Sequence, residues 1–194
     1  MNTLPEQIET CIRLAARSTG DAAGLRERER AAQFLINHPA EAYPPLARLV
    51  DEKPAAWETP RLLDIIGRMG LPESAPLLAD LLAQAIPDTS RAAGRALGAV
   101  GGATAQTALL AGLNAPNNEV RIAALEGARI FGGDFGCAPI TPMLTDADAN
   151  VRYYAVNTAV SLGCLAPDQL AQIAREDSDA YVRLLAEKAA QANT

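Results

Sequence analysis

Histidine, the side chain best suited to moving protons near neutral pH, occurs once, as His38 in "INHPA". A Ser-His-Asp or Cys-His centre would have to use it. No serine sits in a G-x-S-x-G elbow and no cysteine lies near it in sequence. A lone histidine at a helix end before proline reads as a capping or solvent-facing residue. "DADANVRYYAVN" opens like a calcium loop, with Asp146, Asp148 and Asn150 at alternate positions. The glycine needed at the sixth position is Val151, and the closing glutamate is Asn157. Asp148 reads instead as a helix cap, with Asn117 and Asp179 in the same role. "GAVGGATAQT" lacks the Gly-Lys-Ser/Thr of a phosphate loop. Asp134-Phe135-Gly136 resembles a kinase triplet without the loops that give it meaning. Both stretches read as turns. No catalytic residue, metal site or cofactor is therefore expected.

One polar pattern recurs. Val-Arg falls at Val120-Arg121, Val151-Arg152 and Val182-Arg183, two steps of 31. Arg121, Arg152 and Arg183 form either a binding ladder or a piece of architecture. Each follows a loop residue by four: Asn117, Asp148 and Asp179. Neighbours at i and i+4 on a helix can pair, so Asp148–Arg152 and Asp179–Arg183 pairs are expected. An arginine fork can also reach carbonyls or carboxylates of the next unit. With a partner supplied to each, the ladder reads as structural.

The elements that carry these residues repeat at the same interval. Gly70, Gly101, Gly132 and Gly163 are 31 apart, each after an apolar residue, as helix stops should be. Upstream, Val120, Ala124, Ala128 and Phe131 run at helical spacing, and Val151, Ala155, Ala159 and Leu162 repeat it. The small residues in mid-helix allow neighbouring helices to approach closely. Second, shorter helices follow, marked by Leu78/Leu82, Leu109/Leu113, Ile140/Leu144 and Leu170/Ile173. The pattern predicts an all-α, right-handed solenoid of antiparallel helix pairs. Repeats are expected at 59–88, 89–119, 120–150 and 151–181, with a polar capping helix over about 179–192. Residues 1–58 are irregular: a cap over 1–20 and a diverged repeat over 22–58, continuous with the 59–194 array.

Composition narrows the function. The 194 residues are 49% hydrophobic but only 4% aromatic, which requires an aliphatic, alanine-rich core. The net charge of −6 argues against nucleic acid and against an anionic membrane surface. No apolar run is long enough to span a membrane, and "MNTLPEQIETCIRLAARS" lacks a secretory leader's pattern, so it reads as a mature N-terminus. Cys11, Cys137 and Cys164 are odd in number and lack CxxC spacing, which predicts reduced, buried thiols in a cytoplasmic protein.

A 31-residue helix pair with "VR..A" in its first helix and a glycine stop resembles HEAT-like repeats, in particular the short-period type associated with bilin lyases. The resemblance rests on Val120-Arg121 with Ala124, Val151-Arg152 with Ala155, Val182-Arg183 with Ala186, and the four glycines. It covers 59–192 well and 22–58 poorly. It implies a scaffold, adaptor or regulator that presents a solenoid surface to another protein. A bilin-lyase-like accessory role is the alternative, and a helical-repeat DNA glycosylase the next. The glycosylase reading is disfavoured by the net charge and by the single tryptophan, Trp57, which reads as a packing residue. A His-Glu di-iron site, found in some helical-repeat enzymes, has no matching pair here. Second helices usually line the inner face of such arrays, which nominates Gln106, Thr141, Gln169 and Gln172 for contacts. Tyr153, at the register of Ile122 and Leu184, either packs between repeats or faces a partner.

Overall fold

The computed structural model describes residues 3–53 and 55–192. Among them, 11 α-helices follow one another with no strand. Helix α1 (Leu4–Ala16) lies across α2 (Ala22–Asn37), α3 (Pro39–Glu52) and α4 (Thr59–Met69). The array continues as α4 with α5 (Ala75–Ala83), α6 (Pro87–Val100) with α7 (Gly102–Leu113), and α8 (Asn118–Phe131). It ends with α9 (Ala149–Ser161), α10 (Pro167–Glu176) and a single α11 (Ala180–Ala192). This is an all-α solenoid.

The glycine stops have the conformation their position demands. Gly70, Gly101, Gly132 and Gly163 take φ of 65, 70, 87 and 71°, where a side chain is disfavoured. At the other helix ends, the side chains of Asn117, Asp148 and Asp179 accept the first free backbone N–H groups of α8, α9 and α11. The stripe residues Ala93, Leu97, Val120, Ala124, Ala128, Val151, Ala155 and Ala159 are buried, as are Leu78, Leu82, Leu109, Leu113 and Ile140 of the second elements. Each buried leucine contributes about 1.5–3 kcal/mol to the core.

Two expectations about elements need correction. The second element of the third repeat is not an α-helix. It consists of short 3-10 turns, Gly133–Phe135 and Thr141–Thr145. Gly136, Pro139 and Pro142 interrupt the stretch, and proline removes the donor that an α-helix needs. Ile140 keeps its place in the core. Phe135 of the kinase-like triplet is also buried there, edge-on to Phe131. The second correction concerns the cysteines. Cys137, just after the first 3-10 turn, is disulfide-bonded to Cys164, just after the Gly163 stop. Only Cys11 is a free thiol, half-buried, with its pKa raised by burial. Disulfides persist where the surroundings are oxidising, so the ground for expecting a cytoplasmic protein is lost. No helix among the described residues is long and apolar enough to cross a membrane.

The two helix layers pack differently. The first helices α4, α6 and α8 meet closely. A Cβ on Gly67 would stand 2.8 Å from the Ala96 backbone, and Cβ atoms on Gly94, Gly98 and Gly127 would collide with the carbonyls of Ala123, Gly127 and Gly94. The second helices α5 and α7 touch far less. Moreover, the Arg91 guanidinium on α6 donates to the Tyr154 hydroxyl on α9 at 2.9 Å, reaching past α8. Glycine in the first helices removes the side chains that would hold them apart, so this layer is the more tightly packed of the two.

Candidate docking groove

On the first-helix face, two adjoining recesses run from α2 across α4 and α6 to α8. The larger, of about 300 Å³, lies between Arg28 and Glu29 of α2, Arg61, Asp64 and Arg68 of α4, and Arg95 of α6. The smaller, of about 100 Å³, is bounded by Arg68, Arg95, Ala99 and Ile130. Their floor is apolar: Ala32, Ile65, Ala92 and Ala96 are buried beneath the charged rim. The same helical periodicity that buries Leu62, Ile66 and Leu97 turns Arg61, Arg68 and Arg95 outward along this face.

Three of the four rim arginines are held by neighbours. Arg68 donates to Glu29 at 2.8 Å and stands 3.8 Å from Asp64; the bond to Glu29 is the main cause of its raised pKa. Arg95 meets Glu126 at 3.1 Å. Arg91 bonds Glu119 at 3.3 Å and stacks on the Tyr154 ring. Burial, the largest influence on Arg91, works against its charge, but the bond to Tyr154 and the pull of Glu119 and Glu126 outweigh it and raise its pKa. Arg61 donates to the Ala16 and Arg17 carbonyls at the end of α1, and its guanidinium lies 5.1 Å from the Trp57 ring. Trp57 itself is 61% exposed, which corrects its reading as a packing residue. The positions follow the 31-residue interval, as Asp64, Arg95 and Glu126 do, but the residue types change from unit to unit, so the interval does not mark them; the run of arginine at helical spacing in α4 and α6 is the available signal.

The arginine ladder lies at the helix starts, apart from this groove. Arg121 donates to the Ala115 and Pro116 carbonyls of the loop before it. It also reaches forward to the next loop, where Nη2 donates to Asp146 at 3.0 Å. Its Nε lies 2.9 Å from the other carboxylate oxygen, close enough for an ion pair but misaligned for a hydrogen bond. Arg152 repeats the arrangement one unit on, with the Asp146 carbonyl behind and a two-pronged grip on Asp177 ahead, both bonds 2.9 Å. Arg183 holds the Asp177 and Ser178 carbonyls. The expected Asp148–Arg152 and Asp179–Arg183 ion pairs are therefore absent. Asp148 and Asp179 are committed to capping, and Asn118 donates to Asp148 at 2.8 Å. That bond from Asn118 leads the causes that lower the Asp148 pKa, and the Arg152 bond leads those that lower Asp177. Asp146 and Asp148, the calcium-like pair, are thus engaged by Arg121 and by the α9 N-terminus.

The nominated contact residues are scattered. Gln106 is half-buried on α7, while Thr141 is exposed and donates to the Cys137 carbonyl. Gln169 accepts from the Ala166 N–H at the start of α10, and Gln172 donates to Glu176 on the same helix. Tyr153 is half-buried, edge-on to Tyr154, and packs on the small C-terminal cluster of Val156, Leu170, Val182 and Ala186. His38 donates from Nδ1 to the Phe34 carbonyl at the end of α2, its ring against Phe34.

Comparison with curated proteins finds no match. The family of HEAT repeats matches residues 44–129 and again 107–191. The matched span opens inside α3, and so takes in part of the segment that the 31-residue interval sets apart. With two overlapping matches that span more than half of its length, and with an architecture of stacked helix pairs, the chain belongs to the HEAT repeats family.

Proposed function

We propose that the protein is a non-enzymatic adaptor that binds another protein along its first-helix face. One observation carries this reading: on that face two adjoining recesses form a groove with an apolar floor, next to the bond between Arg91 and Tyr154, 63 residues apart. Repeat arrays present such surfaces because each unit adds area without disturbing the next. HEAT repeats generally mediate protein–protein contact, which supports the reading. The conspicuous polar residues elsewhere are engaged in capping, ion pairs or the disulfide.

The test is crosslinking and capture from the native organism, using the natural chain and Ala99→Trp. Ala99 is exposed on the groove wall, so tryptophan there fills the recess without entering the core. A partner retained by the natural chain and lost with Ala99→Trp is expected. A partner retained equally by both removes the groove from the account. The accessory role with a prosthetic group predicts a change in visible absorption on mixing with bilin, and none is expected. No gel shift with duplex DNA at low salt is expected either.

A further inference from the structure

We infer that the groove receives an extended acidic segment of its protein partner, clamped by Arg28, Arg61, Arg68 and Arg95. The inference rests on the adaptor reading and names the chemistry of the partner. The chain as a whole carries −6, yet the larger recess is rimmed by four arginines against two carboxylates, Glu29 and Asp64, with Glu126 outside the rim paired to Arg95. Both carboxylates are already turned to Arg68. Among the described residues, no carboxylate lies within ion-pair distance of Arg28 or Arg61. Arg28 and Arg61 are therefore the rim arginines without a carboxylate partner, Arg61 resting on the carbonyls at the end of α1.

The apolar features fix the rest of the occupant. Trp57 stands exposed beside Arg61, and Ile130, 38% exposed, closes the α8 end. A segment with two or three carboxylates flanked by apolar residues matches these features. Four helices at ordinary spacing span roughly 25 Å, about eight residues of extended chain. A nucleic acid fits less well. Its charge continues along every nucleotide and would run onto the acidic remainder of the surface, whereas a short peptide places its charge only where the arginines are.

The test is fluorescence anisotropy at low salt with three labelled probes: a peptide of about ten residues with Leu flanking Glu and Asp, its Gln and Asn counterpart, and single-stranded DNA of equal charge. The acidic peptide is expected to bind at least about tenfold tighter than the neutral one, and to weaken as salt rises. Arg28→Glu, at a side chain with no carboxylate to lose, should weaken it by a similar factor, and Arg175→Glu on the exposed side of α10 should leave it unchanged. Equal binding of the acidic and neutral peptides overturns the inference. So does equal loss from Arg175→Glu, or tighter binding of the DNA. Partner capture that survives Arg28→Glu with Arg61→Glu keeps the adaptor reading and discards the acidic clamp.

Discussion

The repeats from α4 to α8 and those from α8 to α11 hold together by different means. In the first stretch, backbones meet through Gly67, Gly94, Gly98 and Gly127, and the register position of Arg121 is occupied by Ser90, which donates to the Leu81 carbonyl of the preceding repeat. In the second stretch no such glycine seam exists. Contact is made by the rungs Arg121–Asp146 and Arg152–Asp177, by the Thr158 hydroxyl on the Leu125 carbonyl, and by the Cys137–Cys164 bridge. Close backbone approach packs the first helices of the first stretch together, and their outward arginines rim a groove. The second stretch has a recess of its own, of about 570 Å³ between α10 and α11, but among the described residues Arg175 is the one arginine that lines it. The repeated residues therefore report how units are joined, and the groove lies where the Val-Arg rule is missing.

The sharpest way to break this contrast is Gly94→Val. Its side chain must displace the Ala123 backbone, so a loss of about 3 kcal/mol or more is expected in urea unfolding. A loss below about 1 kcal/mol would show that the seam has room to spare. Next comes the bridge. Reduction, or Cys137→Ser with Cys164→Ser, should cost about 2–3 kcal/mol, because the bond closes a 27-residue separation. Unfolding with and without reductant measures it, and identical midpoints would contradict the account. Asp177→Ala comes third. It strands Arg152 in a pair whose side chains are 12% and 9% exposed, and should cost about 2 kcal/mol, with Arg152→Ala non-additive in a double-mutant cycle. Arg183→Ala, which holds only carbonyls, should cost less, about 0.5–1 kcal/mol.

The rungs also predict a pH dependence. Asp148 and Asp177 have folded-state pKa values below their ordinary ones, through Asn118 and Arg152 respectively. A carboxylate depressed by folding stabilises fully above its unfolded pKa of about 3.9, and loses that contribution as pH falls through the folded value. The melting temperature should therefore hold from neutrality to about pH 5 and drop below about pH 4. Asp177→Asn should flatten that drop. An unchanged acid limb in the variant would place the titrating groups elsewhere.

Much of this fold was legible at the level of single residues. The glycine stops announced themselves because one residue type at one spacing meets one backbone requirement, and four positive φ values match four positions. The apolar stripes were legible because period and burial are the same fact. The ladder was legible only in part. A pattern of 31 located Arg152, but its partner lies 25 residues on, in a loop that only the stacking brings near. The spacing of four pointed to Asp148, whose carboxylate the helix N-terminus already claims. The disulfide was hidden because Cys137 sits where a second helix was expected. Prolines and Gly136 replace that helix with turns, and the turns bring Cys137 to the Gly163 stop. The groove was hidden for another reason. Its lining comes from α2, α4, α6 and α8, and the close approach of the first helices rests on glycine contacts across neighbouring units that a single-helix pattern does not display.

The central claim is that the first-helix groove is the working surface. Site-specific photo-crosslinking tests it most directly, with one benzophenone side chain placed in turn at Ala99, at Ile130, and at Gln106 and Gln172 on the second helices. Irradiation in extract of the native organism should yield the same adducted protein from Ala99 and Ile130 and none from Gln106 or Gln172. Adducts from the second-helix positions alone would contradict the account.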